Sequence, residues 1–157
     1  MIVWIASFPR SGNTFCRTLL HSLYDQKTYS IYNDPEIGAM GVTAQEQLPG
    51  SFEELARHER LYFVKTHLAP SDDSPAIYLL RDGRDSYVSL AHHQVIRHAT
   101  PRFYDGPLLR LLGTTYYQEL LEHIVRNSSW SGHVVSWTRR TAGKTFVIRF
   151  EDLIREP

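Results

Sequence analysis

The sequence predicts an α/β fold of three layers, in which helices flank a central and mainly parallel sheet. Two observations lead to this prediction. Four short apolar segments have the length of strands, and segments with the periodicity of helices lie between them. Strands that alternate with helices along a chain form parallel sheets through right-handed crossovers.

The predicted strands are almost continuously apolar instead of alternating between apolar and polar residues. They are rich in Ile, Val, Tyr and Phe, which is typical of strands buried on both faces of a parallel sheet. The four segments are residues 2–6, 61–64, 76–80 and 145–150.

Helical periodicity and capping residues predict the elements between these strands. Ser51 and Glu54, three positions apart, form the pattern of a capping box, and Phe15 lies on the same predicted helix face as Leu19. The predicted helices are residues 14–24, 51–58, 85–98 and 108–126.

Two segments lack any period and are predicted loops, residues 26–50 and 101–107. Long loops in a compact domain are often functional, so these two are expected to shape a binding site. Residues 151–157 are predicted to connect to a further helix. Five aromatic residues lie in or near the loops, and two interpretations are open: they line a pocket, or they pack internally. They are Tyr24, Tyr29, Tyr32, Phe103 and Tyr104.

Length, charge and cysteine content restrict the class of protein. A chain of 157 residues has the size of one domain, and its net charge of zero gives no general attraction to nucleic acid or to a membrane. The single Cys16 excludes an internal disulfide and suggests a reducing compartment. The apolar run 2–6 is too short for a signal peptide or a membrane span. We therefore expect a soluble, cytoplasmic, single-domain protein.

The strongest motif is SFPRSGNTF, residues 7–15, between the first strand and the first helix. Its small residues, Ser11 and Gly12 among them, allow backbone amides to face inward at a helix start, and Arg10 and Thr14 add side-chain donors. The motif therefore predicts a bound phosphate or sulfate and a fold of the P-loop type.

The same segment departs from the nucleoside-triphosphate loop GxxxxGK[ST]. Ser7 replaces the first glycine, and Asn13 replaces the lysine that reaches the outer phosphates, which disfavours ATP hydrolysis. The alternative interpretation is an ordinary junction between strand and helix, in which Ser11 or Asn13 caps the helix.

The second motif is RDGRDSYVS, residues 81–89, at the end of the third predicted strand. Ligands of open α/β sheets collect at this edge, so Arg81 and Ser89 are candidates for binding one phosphate. The alternative, a solvated charged turn, is preferred for Arg84 and Asp85.

The third motif is KTH, residues 65–67, where the second predicted strand ends. His67 could remove a proton from a hydroxyl at neutral pH, and Lys65 could neutralise charge on a transferred group. His92 and His93 remain candidates for lining a substrate entrance. No histidine has a carboxylate at metal-ligand spacing, so no metal is predicted. The remaining histidines are assigned structural or surface roles: His21, His58, His98, His123 and His133.

These three motifs, in this order, resemble the sulfotransferases that use 3′-phosphoadenosine 5′-phosphosulfate. SFPRSGNTF is similar to the 5′-phosphosulfate loop of that family, KTH to its catalytic Lys and His, and RDGRDSYVS to its 3′-phosphate segment. Residues 130–137 resemble the family's helix with spaced tryptophans, and FEDL at 150–153 resembles the family's YEDL.

The resemblance implies in-line transfer of a sulfuryl group to a hydroxyl or amine, with adenosine 3′,5′-bisphosphate as the product and without a metal. His67 would be the general base, and Lys65 and Arg10 would stabilise charge on the bridging oxygen. The acceptor would be a small-molecule or glycan-type hydroxyl. The implied donor-binding residues are Arg10, Ser11, Gly12, Asn13, Thr14, Phe15, Arg81 and Ser89.

The sequence also departs from the family pattern. Arg10 stands where a Lys is common, Phe150 replaces the Tyr of YEDL, and an RKGxxG stretch is absent from the 157 residues. We therefore expect a domain that is truncated at its carboxyl end. Two alternatives stay open: a kinase-like phosphotransferase with a degenerate loop, and a nucleotide-binding module without turnover. The sequence does not determine the acceptor or the oligomeric state.

Overall fold

The structure is a computed structural model, which describes residues 1–32, 45–98, 118, 121–126 and 129–156. Its described strands form one sheet in the order β3-β2-β4-β1-β5-β6, and every neighbouring pair is parallel. The α/β fold with a parallel sheet is therefore confirmed. The strands are β1 Ile2–Ser7, β2 Thr28–Ser30, β3 Gln45–Gln47, β4 Tyr62–Thr66, β5 Ala76–Leu80 and β6 Thr145–Arg149.

The helices of the described residues flank this sheet. The capping box is confirmed, because Ser51 Oγ accepts from the Glu54 amide at 3.3 Å and the Glu54 carboxylate accepts from the Ser51 amide at 2.9 Å. Residues 121–126 are also helical. The other helices are α1 Asn13–Tyr24, α2 Phe52–Arg57, α3 Gly83–His98, α4 Trp130–Thr138 and α5 Phe150–Arg155.

Two predictions of local structure are wrong. β2 and β3 lie inside the predicted loop 26–50. Pairing of β2 with β4, and of β3 with β2, imposes an extended conformation on short segments that carry no strand pattern of their own. The last strand ends at Arg149, one residue before its predicted end, and α5 occupies most of the segment 151–157 that is predicted as a connection. The predicted loop 101–107 and most of the predicted helix 108–126 lie outside the described residues.

The core occupies both faces of the sheet. Trp4 of β1 packs with Tyr78 of β5 and Trp137 of α4 on one face, whereas Ile5 packs with Cys16 of α1 on the other. This alternation of neighbouring residues is the expected result of a strand covered by helices on both sides. Among the described helices, none combines the length and apolarity that a membrane span requires.

The strand order brings the three motifs to one edge of the sheet. β1 lies between β4 and β5, with Ala6 beside Thr66 and Ser7 beside Leu79. The connection from β4 to β5 therefore crosses over β1, and the strand order changes direction at this point. Crevices outside the carboxyl ends of strands at such a point are the usual ligand sites of open α/β sheets.

Candidate active site

The loop between β1 and α1 has the backbone conformation of an anion-binding turn. Arg10 (φ 66°) and Gly12 (φ 93°) adopt the left-handed region, and the Ser11 amide donates to the Phe8 carbonyl at 3.2 Å. No side chain caps α1. The amides of its first turn therefore point out of the helix end without a side-chain acceptor, and the helix dipole favours an anion there.

Asn13 ties this loop to β1 instead of capping the helix. Its side chain is buried, and Nδ2 donates to the Ile5 carbonyl at 2.9 Å and to Ser7 Oγ at 3.3 Å. Ser11 Oγ likewise turns away from the loop and bonds to Ser86 Oγ of α3 at 3.1 Å. The alternative in which Ser11 or Asn13 caps α1 is therefore wrong, because both side chains bond elsewhere.

Thr14 and Phe15 are exposed at the start of α1, while the next residue, Cys16, is buried. The Phe15 side chain is 38% exposed, so it does not belong to the helix core. Stacking of Phe15 on a planar group bound at the helix start stays a prediction.

Gly12 cannot carry a side chain without a cost. A Cβ at this position would overlap the Phe150 ring, and the backbone φ of 93° strains any L-residue. We expect Gly12→Ala to lower the free energy of unfolding by about 2–4 kcal/mol, measured by urea denaturation. Gly50→Ala is the control: a Cβ there meets the flexible end of Glu54, so the expected loss is limited to the capping-box bond to the Ser51 amide. An equal loss in both variants would contradict the role given to the Phe150 contact.

Arg10, Arg81 and Ser89 converge beside this loop. Arg81 Nη1 donates to the Arg10 carbonyl at 3.0 Å, and Arg10 Nε donates to Ser89 Oγ at 3.3 Å. The Arg81 guanidinium also lies 4.7 Å from the centre of the Phe150 ring. Burial and then the charge of Arg81 lower the pKa of Arg10. The two positive guanidinium groups repel each other at this distance, and an anion bound beside both of them would relieve this repulsion.

Two other charged residues of the second motif, Asp82 and Arg84, pair with each other. Asp82 accepts from the Arg84 amide at 2.8 Å and from Arg84 Nε at 3.3 Å, and both side chains are substantially exposed. These bonds to Arg84 are the main reason why the pKa of Asp82 is lowered. The pair confirms the charged turn expected for Arg84, and the Asp82 carboxylate is directed to Arg84.

His67 follows β4 and has a defined tautomer. Its Nδ1 lies 2.8 Å from the Ser7 carbonyl oxygen, which can only accept, so Nδ1 carries the proton and Nε2 keeps its lone pair. Ser7 Oγ lies 3.2 Å from the same nitrogen. Burial lowers the pKa of His67 to about 4; the bond to Ser7 opposes this shift and the charge of Lys65 adds to it. The imidazole is therefore neutral at pH 7 and can accept a proton at Nε2.

Tyr32 connects His67 and Lys65. Its hydroxyl accepts from the His67 amide at 2.8 Å, and its ring stacks on the imidazole at 5.7 Å between centres. The buried Lys65 places Nζ 5.3 Å from the centre of the same ring. Tyr32 thus holds the two residues that the sequence selects from the KTH motif.

The structure also identifies a histidine that sequence reasoning set aside. His133 Nε2 lies 3.1 Å from the His67 carbonyl oxygen, and His133 Nδ1 lies 2.9 Å from the Tyr78 hydroxyl. Ser86 lies within the second motif and His133 within residues 130–137, but neither has a functional role assigned from the sequence; both support the site. His21 is near Asp25 at the other end of α1, and His58 is exposed at the end of α2. In the described ranges, no three His, Cys, Asp or Glu side chains come together as a metal site would require.

These features define a P-loop-type α/β protein with an anion-binding helix start and a neutral imidazole at neighbouring strand ends. The chain belongs to the sulfotransferase domain family, whose family model matches residues 2–157. The resemblance predicted from the three motifs is thereby confirmed.

Two curated relatives come from fruit flies. The chain is 30% identical over 157 residues to WSCD family member CG9164 of Drosophila melanogaster, a match covering 96% of this chain and 44% of the relative. It is 29% identical over 163 residues to WSCD family member GA21586 of Drosophila pseudoobscura pseudoobscura, covering 98% and 46% respectively. The chain thus spans less than half the length of these relatives.

A solved structure has a similar fold. The crystal structure of retinol dehydratase in complex with retinol and PAP matches 99% of this chain and 56% of its own, with a TM-score of 0.57 and 21% sequence identity. This match supports the fold described above.

Proposed function

We propose that the protein transfers a sulfuryl group from 3′-phosphoadenosine 5′-phosphosulfate to an acceptor hydroxyl, with His67 as the general base. The observation that carries this proposal is the position of His67. A neutral imidazole with Nε2 unprotonated stands at the same sheet edge as the uncapped start of α1. Membership of the sulfotransferase domain family supports the reaction class.

The donor is proposed to bind at two anion sites. The amides of Gly12, Asn13 and Thr14, at the start of α1, would hold the 5′-phosphosulfate. Arg81 and Ser89, both hydrogen-bonded to Arg10, would hold the 3′-phosphate, and the exposed Phe15 ring would stack on adenine. Ser11 would act through the loop, since its amide and hydroxyl are bonded to Phe8 and Ser86.

The proposed transfer needs one proton acceptor and two cations. His67 Nε2 takes the proton of the acceptor hydroxyl as its oxygen forms a bond to sulfur. The bond from sulfur to the bridging oxygen breaks, and its electron pair leaves with adenosine 3′,5′-bisphosphate. Lys65 and Arg10 stabilise the negative charge on that oxygen, so no metal ion has a role in the proposed step.

The acceptor is proposed to be a small molecule or a glycan that presents a hydroxyl. Retinol dehydratase, which shares the fold, was crystallised with retinol, a small molecule. Next to His67 in this chain, Leu68 is 59% exposed and offers an apolar contact. This chain spans less than half the length of its curated relatives. That the 157 residues are active by themselves is therefore also a proposal.

Thermal unfolding with nucleotides tests the donor site. At a hundredfold excess over its Kd, adenosine 3′,5′-bisphosphate should stabilise the protein by about 2.7 kcal/mol, which raises the Tm by about 5–10 °C. Adenosine 5′-monophosphate, which lacks the 3′-phosphate, should act only at much higher concentration. Stabilisation by ATP with Mg²⁺ alone would support the phosphotransferase alternative, and no response to any nucleotide would contradict the proposed function.

A further inference from the structure

Helix α4 carries three ring N–H donors that reach the ends of two strands. Trp130, His133 and Trp137 are three and four residues apart, so they lie on one face of the helix. Trp130 Nε1 donates to the Arg81 carbonyl at 3.1 Å, and Trp137 Nε1 donates to the Leu68 carbonyl at 2.9 Å. His133, between them, bonds to the His67 carbonyl. One helix face thus holds both the segment of Arg81 and the segment of His67.

The tautomer of His133 is fixed by β5. Nε2 faces a carbonyl oxygen and must donate, so Nδ1 is the acceptor and the Tyr78 hydroxyl donates to it at 2.9 Å. Tyr78 is fully buried, and its hydroxyl also bonds to the Phe8 backbone. Burial lowers the pKa of His133, which keeps the ring neutral and preserves this pattern at pH 7. The Tyr78 hydroxyl of β5 therefore fixes Nε2 as the nitrogen of His133 that donates to the His67 carbonyl.

We propose that His133 is a positioning residue: it fixes the peptide of His67, and with Trp130 on the same helix it holds the proton acceptor and the Arg81 segment in one relative geometry. This inference rests on the proposed function. His133 touches neither donor nor acceptor in this proposal, because its two ring nitrogens are bonded to Tyr78 and to the His67 carbonyl.

The geometry explains why a distant helix can affect proton transfer. The peptide groups of His67 are held by Tyr32 at the amide and by His133 at the carbonyl, while Ser7 holds the ring. A general base must lie within about 2.6–3.2 Å of the proton that it takes, and an error of about 1 Å can cost about a hundredfold in rate. Loss of the carbonyl anchor would leave Trp137 to hold the following residue, so the loop would shift without unfolding.

The test compares His133→Phe with His133→Gln by nitrogen NMR of the histidine rings in the ligand-free protein. Phe retains a ring but removes the donor, whereas the Gln amide can donate to the His67 carbonyl from nearly the same position as Nε2. We expect His133→Phe to raise the pKa of His67 by about one unit or more, because water reaches the ring. His133→Gln should restore most of the wild-type value.

The other groups facing His67 are unchanged in both variants: Ser7 from β1, Arg17 from α1, Tyr32 after β2 and Lys65 on β4. Both variants also remove the same electrostatic effect of the His133 ring, so a difference between them reports the donor alone. Val135→Ala, at an exposed position of α4, is the control and should leave the His67 signals unchanged. If His133→Phe does not fold, Tyr78→Phe removes the hydroxyl that fixes the tautomer and should shift His67 in the same direction, by less.

Wild-type ring signals in His133→Phe, or the same shift in the Phe and Gln variants, would overturn the inference. Where transfer is measurable, kcat in His133→Phe should fall about 10- to 100-fold, with the Kd for adenosine 3′,5′-bisphosphate changed less than about twofold. Failure of the wild-type protein to bind that nucleotide contradicts the proposed function instead, and the ring signals of the ligand-free protein distinguish the two failures.

Discussion

His67→Asn is expected to lower the rate of sulfuryl transfer by about 10²- to 10⁴-fold, the range that a positioned general base contributes. The Asn amide can replace Nδ1–H as the donor to the Ser7 carbonyl, so the loop keeps its anchor while the proton acceptor at Nε2 is lost. The Kd for adenosine 3′,5′-bisphosphate should change less than about twofold, since no donor site includes this ring. Single-turnover kinetics and nucleotide titration measure the two effects separately.

His58→Asn is the matched control, because this histidine is exposed at the end of α2, beside the start of β4 and away from the carboxyl edge of the sheet. Its rate should equal that of the wild type. Turnover retained in His67→Asn would show that another group takes the proton.

The pH dependence of the stability of His67→Asn tests whether His67 is buried and neutral in the folded protein. The pKa of His67 is about 4 in the folded protein and about 6.5 in the unfolded chain, so the unfolded state binds more protons between these values. Stability is therefore complete above about pH 6.5 and falls as the pH drops to about 4, by about 3 kcal/mol from this residue. His133, whose pKa is also lowered, adds to the loss. Urea denaturation between pH 7 and pH 4 should show a smaller decrease in His67→Asn, and an unchanged decrease would contradict the buried neutral state.

The residues proposed for the chemistry could be placed at one edge of the sheet because each follows an apolar strand within three residues. Arg10, His67 and Arg81 come after β1, β4 and β5, and the carboxyl ends of parallel strands share one edge. The strands themselves were recognisable because burial on both faces demands continuous apolar sequence. β2 and β3 were not, since Thr28–Ser30 and Gln45–Gln47 are extended through pairing with neighbours and not through their own composition.

The supporting residues could not be predicted, because their partners are far away in the sequence. Ser86 bonds to a residue 75 positions away, the Tyr32 hydroxyl to one 35 positions away, and His133 to one 66 positions away. No local pattern indicates which carbonyl a single histidine will meet. The partner of Asn13 could not be predicted either: its position suggested a helix cap, but its side chain bonds to the Ile5 carbonyl of β1.

Arg81→Met is expected to weaken binding of adenosine 3′,5′-bisphosphate by about 10- to 100-fold, while binding of adenosine 5′-monophosphate changes little. Charge-assisted hydrogen bonds contribute about 1.5–3 kcal/mol each, and a loss of 1.4 kcal/mol is a factor of ten in Kd. Met is long enough to contact the Phe150 ring, on which the Arg81 guanidinium lies, but it removes every donor. Isothermal titration with the two nucleotides separates loss of the 3′-phosphate contact from a general disturbance of the loop.

Two further variants complete this experiment. Arg81→Lys keeps the charge but loses the planar, bidentate geometry and the bond to the Arg10 carbonyl, so its affinity should lie between those of Met and the wild type. Arg84→Ala removes an exposed guanidinium from the same turn that is paired with Asp82, and it should change either Kd less than about twofold. If Arg81→Met lowers the affinity for both nucleotides equally, Arg81 supports the loop through Arg10 and Phe150 and does not bind the 3′-phosphate. The selectivity between the two nucleotides, and not the size of the loss, therefore decides whether the second anion site lies at Arg81.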